Sequence, residues 1–341
     1  MWPIVDEEKR QHVLSLVRQA FNCAHITTHV PVDNPVSLEK ANIHLLKETE
    51  YIISYKADGV RYLLVLCMYK AQPLAAFVDR AGHVYSLYVI AHVTHYQKNC
   101  VFDGELCEIE PNIYHYVVFN ALIDQGVYLG DFAYVNRLRH VKQNFQAEQL
   151  PVLNKRTTFI TAMASNTLTF YRKEYDISEN IKSFLLLIPR YKQDGLVFTP
   201  SKEGVVPGRN EHLLKWKSEN PIDVHVVLES DQLCLYIDNN GADIPVEDAL
   251  GVQVDFDEHC DRLQSLLRGS FLYNRLFGTA ASTFDHIVEV SCVFVRENIL
   301  QLQFLRLRPD KDGANNVTTV KRTLQTICDN VSLNDIFQTL L

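Results

Sequence analysis

The chain has 341 residues, 47% hydrophobic and 22% charged, a globular composition that excludes a disordered or low-complexity polymer. Its formal net charge of −8 excludes the broad basic footprint of a dedicated nucleic-acid binder, so any nucleic acid must be held by a local cluster of Lys and Arg. The length suits two domains of ordinary size.

The N-terminus, Met1-Trp2-Pro3-Ile4-Val5-Asp6-Glu7, has no basic stretch followed by an apolar core, so no signal peptide is expected. Apolar runs such as Leu185-Leu186-Leu187-Ile188 are too short to span a bilayer, and no membrane partner is expected. The eight cysteines are scattered without a C-x-x-C pair. That predicts buried free thiols rather than a structural zinc, and an intracellular setting, nucleus or cytoplasm.

Residues 7–21 predict an amphipathic helix with Val13, Leu14, Val17 and Phe21 on one face, packed on a sheet. Residues 31–35 read as an extended loop, and Ser37 as the N-cap of a helix. Residues 50–55 read as a strand, and 62–66 as a second strand buried on both faces. Lys56 sits in the tight connection between them, where Gly59 can take a positive φ or let a ligand approach closely. The bland reading is a solvated hairpin turn. The sharper one is a covalent-catalysis lysine, whose amine becomes nucleophilic when other cations or partial desolvation favour its neutral form. Strands at 75–78 and 83–87 follow, joined by Asp79-Arg80, which by itself reads as a surface salt bridge or turn.

Residues 101–107 predict a strand that carries two acids. Glu105 lies there in an otherwise apolar setting, which is costly unless the carboxylate is paired or metal-bound. Its partner is either Lys56 or Arg61, or a metal. A paired strand follows at 113–123. Residues 131–145, with Arg137, Arg139, His140 and Lys142, read as a solvated surface helix. A strand at 167–171 runs towards Lys173, and 178–188 reads as a helix capped by Ser178. In the strand at 213–217, Lys215 and Lys217 share one side, opposite Trp216. Two cations on one face make a solvated edge or a phosphate cradle. Residues 218–221 mark a domain boundary. Beyond it, strands at 223–228, 233–237, 286–295 and 300–307 suit a small β-barrel, with a helix at 264–277. Helices at 316–328 and 332–340 close the chain, with Ser332 and Asp335 as cap signals. The expected domains are 1–220, 221–311 with an insertion at about 251–285, and C-terminal helices at 312–341.

Six short motifs stand in one order: KADGVR at 56–61, DR at 79–80, FDGELC at 102–107, DGLVF at 194–198, LLKWK at 213–217 and RPDK at 308–311. The set resembles the covalent nucleotidyltransferases, the superfamily of mRNA capping enzymes and ATP-dependent DNA and RNA ligases. The FDGELC wording, the Asp-Arg pair, the GRN before the Lys-x-Lys strand, and RPDK followed by Asn315-Asn316 are most similar to the mRNA guanylyltransferases. The compact size and the stretch Asn34-Pro35-Val36-Ser37 are similar to the small capping enzymes of large DNA viruses.

The resemblance implies an α+β fold: a nucleotidyltransferase domain of the DNA-ligase, ATP-grasp-like type with antiparallel sheets, joined to a C-terminal OB-fold β-barrel. It implies that Lys56 takes GMP from GTP as a lysyl phosphoramidate, for transfer to the 5′-diphosphate end of RNA. Glu105 and Asp194 would serve a Mg2+ or Mn2+ ion and the lysine, and Lys215 and Lys217 the α-phosphate. Arg61 and Arg80 would lie near the ribose, Phe119 and Val197 would sandwich the guanine, and Lys173 would reach its O6. Arg308, Asp310 and Lys311 would orient the pyrophosphate, and Arg209 would also reach a phosphate. A separate RNA triphosphatase and a cap methyltransferase would supply the other capping steps. The chain departs from the pattern at Asn120, where the family often has Asp, and in the segment 251–285. Two other readings remain: an ATP-dependent DNA or RNA ligase with the same lysine chemistry, and an idle nucleic-acid-binding module that kept the fold.

Overall fold

The protein is seen here as a computed structural model that describes residues 2–25, 29–87, 89–145, 161–162, 168–229, 232–256, 285–296, 299–308 and 311–341. It has two compact units, Met1–Lys217 with Leu333–Leu341, and Ser218–Ser332. Among the described residues no helix is long and apolar enough to cross a membrane.

The first unit is built on two large sheets, beside a two-stranded pairing of Val89–Ile90 with Thr161–Ala162. The larger runs Trp2–Pro3, Val84–Leu87, Gln72–Val78, Val60–Tyr69, Cys100–Glu110, Ile113–Asp124 and Val127–Tyr128, with Leu168–Arg172 parallel to Ile113–Asp124. Its central strand is buried on both faces, and Leu63, Leu64, Val65 and Leu66 are each at most 1% exposed. Each such side chain contributes about 2 kcal/mol of burial. Leu63 and Val65 pack beneath Val13, Leu16 and Val17 of the helix Glu7–Ala20. That helix starts where Asp6 accepts a hydrogen bond from the Lys9 backbone N–H at 3.0 Å, with Glu7 and Glu8 in its first turn. On the other face, Leu64, Leu66, Phe77 and Phe102 meet Val141 and Phe145.

The smaller sheet runs Tyr175–Ile177, Tyr51–Ala57, Gln193–Pro200, Gly208–Lys217 and Asp33–Ser37. The lysine strand Tyr51–Ala57 and the strand Val60–Tyr69 therefore lie in different sheets, and no hairpin joins them. Asp58-Gly59 is a corner between sheets. A Cβ on Gly59 would lie 2.4 Å from the Leu106 carbonyl oxygen, so this glycine serves a close backbone approach.

Three local expectations fail for physical reasons. Residues 33–37 form an edge strand rather than a loop ending in a helix N-cap. Pro35 is tolerated at an edge, and Asn42 closes the following turn by accepting from Glu39 N–H and donating to the Ser37 carbonyl. The helix expected at 178–188 shrinks to a 3-10 turn, Ser178–Asn180, and the short Ile181–Phe184. Pro189 disfavours helix at the residue before it, and the Tyr55 hydroxyl donates to the carbonyls of Phe184 and Leu187 at 3.3 and 2.7 Å. The helix Tyr134–Asn144 is not a solvated surface helix, because Arg137 is 1% exposed. Its guanidinium donates to Asn120 Oδ1 and the Glu203 carbonyl, both at 2.9 Å, and to the Phe132 carbonyl. A buried cation persists only with such a set of acceptors.

The second unit is a six-stranded sheet in the order Ala242–Pro245, Gln232–Asn239, Ile222–Glu229, Asp285–Arg296, Ile299–Leu307 and Gln253–Phe256. Only the last pair is parallel among its described strands, and the arrangement is OB-like. Alternating residues Val224, Val226, Val288, Val290, Leu300 and Leu302 form its core with Val320 and Leu324 of the helix Val317–Asp329. The sequence reading missed the strands Ala242–Pro245 and Gln253–Phe256. The helix expected at 264–277, and most of the segment 251–285, lie outside the described residues. The closing helices do not form one segment at 312–341. Val317–Asp329 belongs to the second unit and Leu333–Leu340 to the first, where Phe337 lies under the Lys182 ammonium at 5.8 Å.

Candidate active site

The register of the smaller sheet sets out one wall of the site. Val197 stands opposite both Ser54 and Lys215, and Gly195 opposite Lys217. Paired residues share a face, so Lys56, Val197, Lys215 and Lys217 project to one side. Strict alternation would turn Asp194 away from them. A bulge between Gln193 and Leu196, against the lysine strand, re-aims it. Asp194 Oδ1 accepts from Lys56 Nζ at 2.8 Å, and Oδ2 meets Lys217 Nζ at 2.7 Å. Burial pushes the Asp194 carboxyl up, but Lys56 and Lys217 together outweigh it and hold it below the usual carboxylate range.

The larger sheet supplies the second wall. Arg61 and Glu105 are ladder partners. The Arg61 guanidinium grips Asp103 in a two-pronged pair at 2.9 and 2.6 Å, and its NH1 donates to the Asp33 carbonyl at 2.6 Å. The acid that pairs with Arg61 is thus Asp103, 1% exposed, and not Glu105. The Glu105 carboxylate makes no hydrogen bond or ion pair among the described residues. Burial raises its pKa to about 7, against the opposing charges of Arg61, Lys173 and Lys56. Phe119 is the residue that a second bulge leaves without a ladder partner, between Val118 opposite Gly104 and Asn120 opposite Asp103. Lys173 Nζ lies 4.9 Å from its ring centroid and the Arg61 guanidinium 5.3 Å. Burial, offset in part by Glu105, lowers Lys173 to about 8.

Asn120 is committed elsewhere. Its Oδ1 accepts from Arg137 and from the Ala121 N–H, so its job is structural. Arg80 is exposed at its strand end, within the electrostatic reach of Arg61, Glu105 and Lys215. Asp79 organises the adjacent turn by accepting from the His83 N–H at 2.8 Å. Arg209 is exposed and paired with Glu211. Within the second unit, Arg308 donates to Asp223 and Glu289 at 2.9 and 3.1 Å, and Lys311 lies 3.9 Å from Asp223. Asp310 lies outside the described residues.

No group of three or more His, Cys, Asp or Glu that could hold a metal occurs among the described residues. The available donors still suit a hard cation. Magnesium is commonly held by one or two carboxylates together with substrate phosphates, and Glu105 has no competing partner.

The lysine cluster is poised at a cost to the substrate-free protein. Burial first, then the charges of Lys217 and Lys56, lower Lys215 from 10.5 to about 8. A lysine whose folded pKa lies below its unfolded one costs stability in full below the folded value, and the cost fades as pH rises to the unfolded value. Lys215→Met is expected to stabilise the free protein at pH 7 by about 1–3 kcal/mol, with the gain vanishing as pH rises from about 8 towards the ordinary lysine range. Urea unfolding across that range tests this. A gain that does not change with pH would show that packing, not charge, is responsible.

Residues 4–219 match the family model of the mRNA capping enzyme catalytic domain, and residues 219–337 that of the mRNA capping enzyme C-terminal domain. The chain belongs to the mRNA capping enzyme family. In this capping-enzyme chain the two matches meet at residue 219, beside the division at Lys217 and Ser218. The mRNA-capping enzyme subunit alpha of Schizosaccharomyces pombe is 28% identical, over 90% of this chain and 79% of that one. The mRNA-capping enzyme of Caenorhabditis elegans is 26% identical, over 67% of this chain and 38% of that longer protein. Among solved structures, a mycobacterial DNA ligase D complexed with ATP and MES covers 82% of this chain and 94% of its own at 14% identity, a distant likeness at TM-score 0.42.

Three contributors to this candidate site escape a reading of the sequence. Asp103 was legible in principle, since alternation puts it in phase with Glu105. Gly195 was quoted in a motif but given no role. A Cβ there would lie 1.9 Å from the Trp216 carbonyl oxygen. Asp33 left no signal: it is buried, burial raises it to about 6, and its carbonyl holds Arg61.

Proposed function

We propose that the chain is an mRNA guanylyltransferase, which moves GMP from GTP through lysyl-GMP on Lys56 to the 5′-diphosphate end of RNA. The observation that carries this reading is Lys56 Nζ bonded to Asp194 on the face that also presents Lys215 and Lys217. In the first step Lys56 Nζ attacks the α-phosphorus. An N–P bond forms, the P–O bond to pyrophosphate breaks, and Asp194 Oδ1 is placed to accept the departing proton. Lys215 and Lys217 offset charge on the phosphoryl oxygens. In the second step an oxygen of the RNA terminal phosphate attacks the same phosphorus, the N–P bond breaks and Lys56 regains a proton. A bound Mg2+ or Mn2+, held by Glu105 or Asp194 with phosphate oxygens, would neutralise phosphate charge.

Base choice follows from donors and acceptors. The Lys173 ammonium has only hydrogens to offer. It suits the O6 acceptor of guanine and not the N6 amino group of adenine, with Phe119 and Val197 at the base faces. Arg61 and Arg80 are assigned to the ribose. Arg308, Asp310 and Lys311 are assigned to pyrophosphate, for which Arg308 would have to exchange its acidic partners.

The test is covalent labelling with α-labelled GTP or ATP and a divalent ion, read under denaturing conditions. Acid-labile, alkali-stable label from GTP and not from ATP is expected. Label from ATP alone would make the chain a ligase, and label from neither would favour the idle module.

A further inference from the structure

The segment between the helix Ile181–Phe184 and the strand Gln193–Pro200 has no part in the nucleotide site described above. Leu186, Leu187 and Ile188 are 81%, 49% and 92% exposed, the one run of consecutive large apolar side chains so exposed among the described residues. Exposed Lys182, Arg190 and Lys192 flank them. Residues 180–193 contain no acid at all. In a chain of net charge −8 this is the kind of local basic cluster that holding nucleic acid requires.

The segment is tied to both walls of the active site. It passes round the end of the lysine strand: the Tyr55 hydroxyl holds the Leu187 carbonyl on the face away from Lys56, and the Asp58 N–H donates to the Lys192 carbonyl at 2.8 Å. On the other wall, Arg190 meets His115 and Tyr191 approaches Glu174, the neighbour of Lys173. The loop therefore rounds the end of the lysine strand through Asp58 and approaches Glu174, next to Lys173.

Resting on the guanylyltransferase reading, we propose that the loop 185–192 is the landing surface for the 5′ end of the RNA acceptor. Lys192 and Arg190 face the backbone phosphates, and Leu186 and Ile188 lie against the first nucleobases. Charge complementarity selects RNA over a protein partner, because a purely apolar docking tip would not need flanking cations without acids.

The test uses full-length protein already carrying labelled GMP, so each variant is compared per labelled molecule. Transfer to a 5′-diphosphate RNA is followed in single turnovers against RNA concentration and salt. Lys192→Glu, and separately Leu186→Ser with Ile188→Ser, are expected to raise the half-saturating RNA concentration about 3- to 10-fold, with the maximal transfer rate unchanged. For Lys192→Glu the dependence of log affinity on log salt should become shallower by about 0.7, the value for one phosphate contact on a single strand. Lys192→Arg should restore both. Unchanged half-saturation and salt slope in all variants would overturn the proposal and turn the exposed tip over to a protein partner. Failure of the unsubstituted protein to label with GTP would instead overturn the guanylyltransferase reading on which the proposal rests.

Discussion

Lys56→Ala protein is expected to take up no GMP label, a loss on the order of 10³-fold or more, while remaining folded. The magnitude follows from the chemistry: covalent transfer has no route without the attacking amine, and neighbouring groups cannot substitute for a missing nucleophile. Lys217 cannot take over. It is held by the other oxygen of Asp194, and its side chain leaves a different strand. The fold should survive, because the Lys56 side chain is 24% exposed and Asp194 keeps Lys217 at 2.7 Å. The stability change from losing one of two such partners is about 1 kcal/mol. Labelling and a urea unfolding curve on the same preparation separate the two effects. Normal labelling of a folded Lys56→Ala protein would remove Lys56 from the chemistry and the assignment with it.

The parts of this site that were legible in the sequence are those carried by short-range pattern. The run Leu63–Leu66 reads as a doubly buried strand because it is uninterrupted and apolar. Lys215 and Lys217 share a face because strand side chains alternate. What stayed hidden depends on contacts between segments far apart in the chain. Arg137 looks like any helical arginine until Asn120, Phe132 and Glu203 are folded around it. The helix at 178–188 had suitable spacing, but its carbonyls are captured by Tyr55, more than 120 residues earlier. Lys56 is legible through its motif, but it lies within the strand Tyr51–Ala57 rather than in the tight connection expected, and no local signal says that the two-residue turn after it crosses from one sheet to another. Asp194 shows the same limit more sharply. Alternation alone points it away from the lysines, and only the bulge reverses that.

The bulge leads to the second large effect: Gly195→Ala should slow lysyl-GMP formation about 100-fold, the usual scale for displacing a catalytic group by about 1 Å. A Cβ at this position would sit 1.9 Å from the Trp216 carbonyl oxygen, 2.9 Å from its carbon and 3.0 Å from Lys217 Cα. All three are backbone atoms of the adjacent strand, so no side-chain rotation relieves the clash. The strands Gln193–Pro200 and Gly208–Lys217 must part at the point where Gly195 faces Lys217. That movement carries Lys217 away from Asp194, and Asp194 away from Lys56, without removing any of the three. Some stability will be lost as well, so the rate must be read at saturating GTP on protein shown to be folded by its unfolding midpoint. A folded Gly195→Ala protein that labels as fast as the unsubstituted one would mean that the Asp194 bridge to the two lysines is not what aligns the attack. A slow but folded variant would mean that one glycine, through the backbone it lets come close, sets the geometry of the reacting lysine.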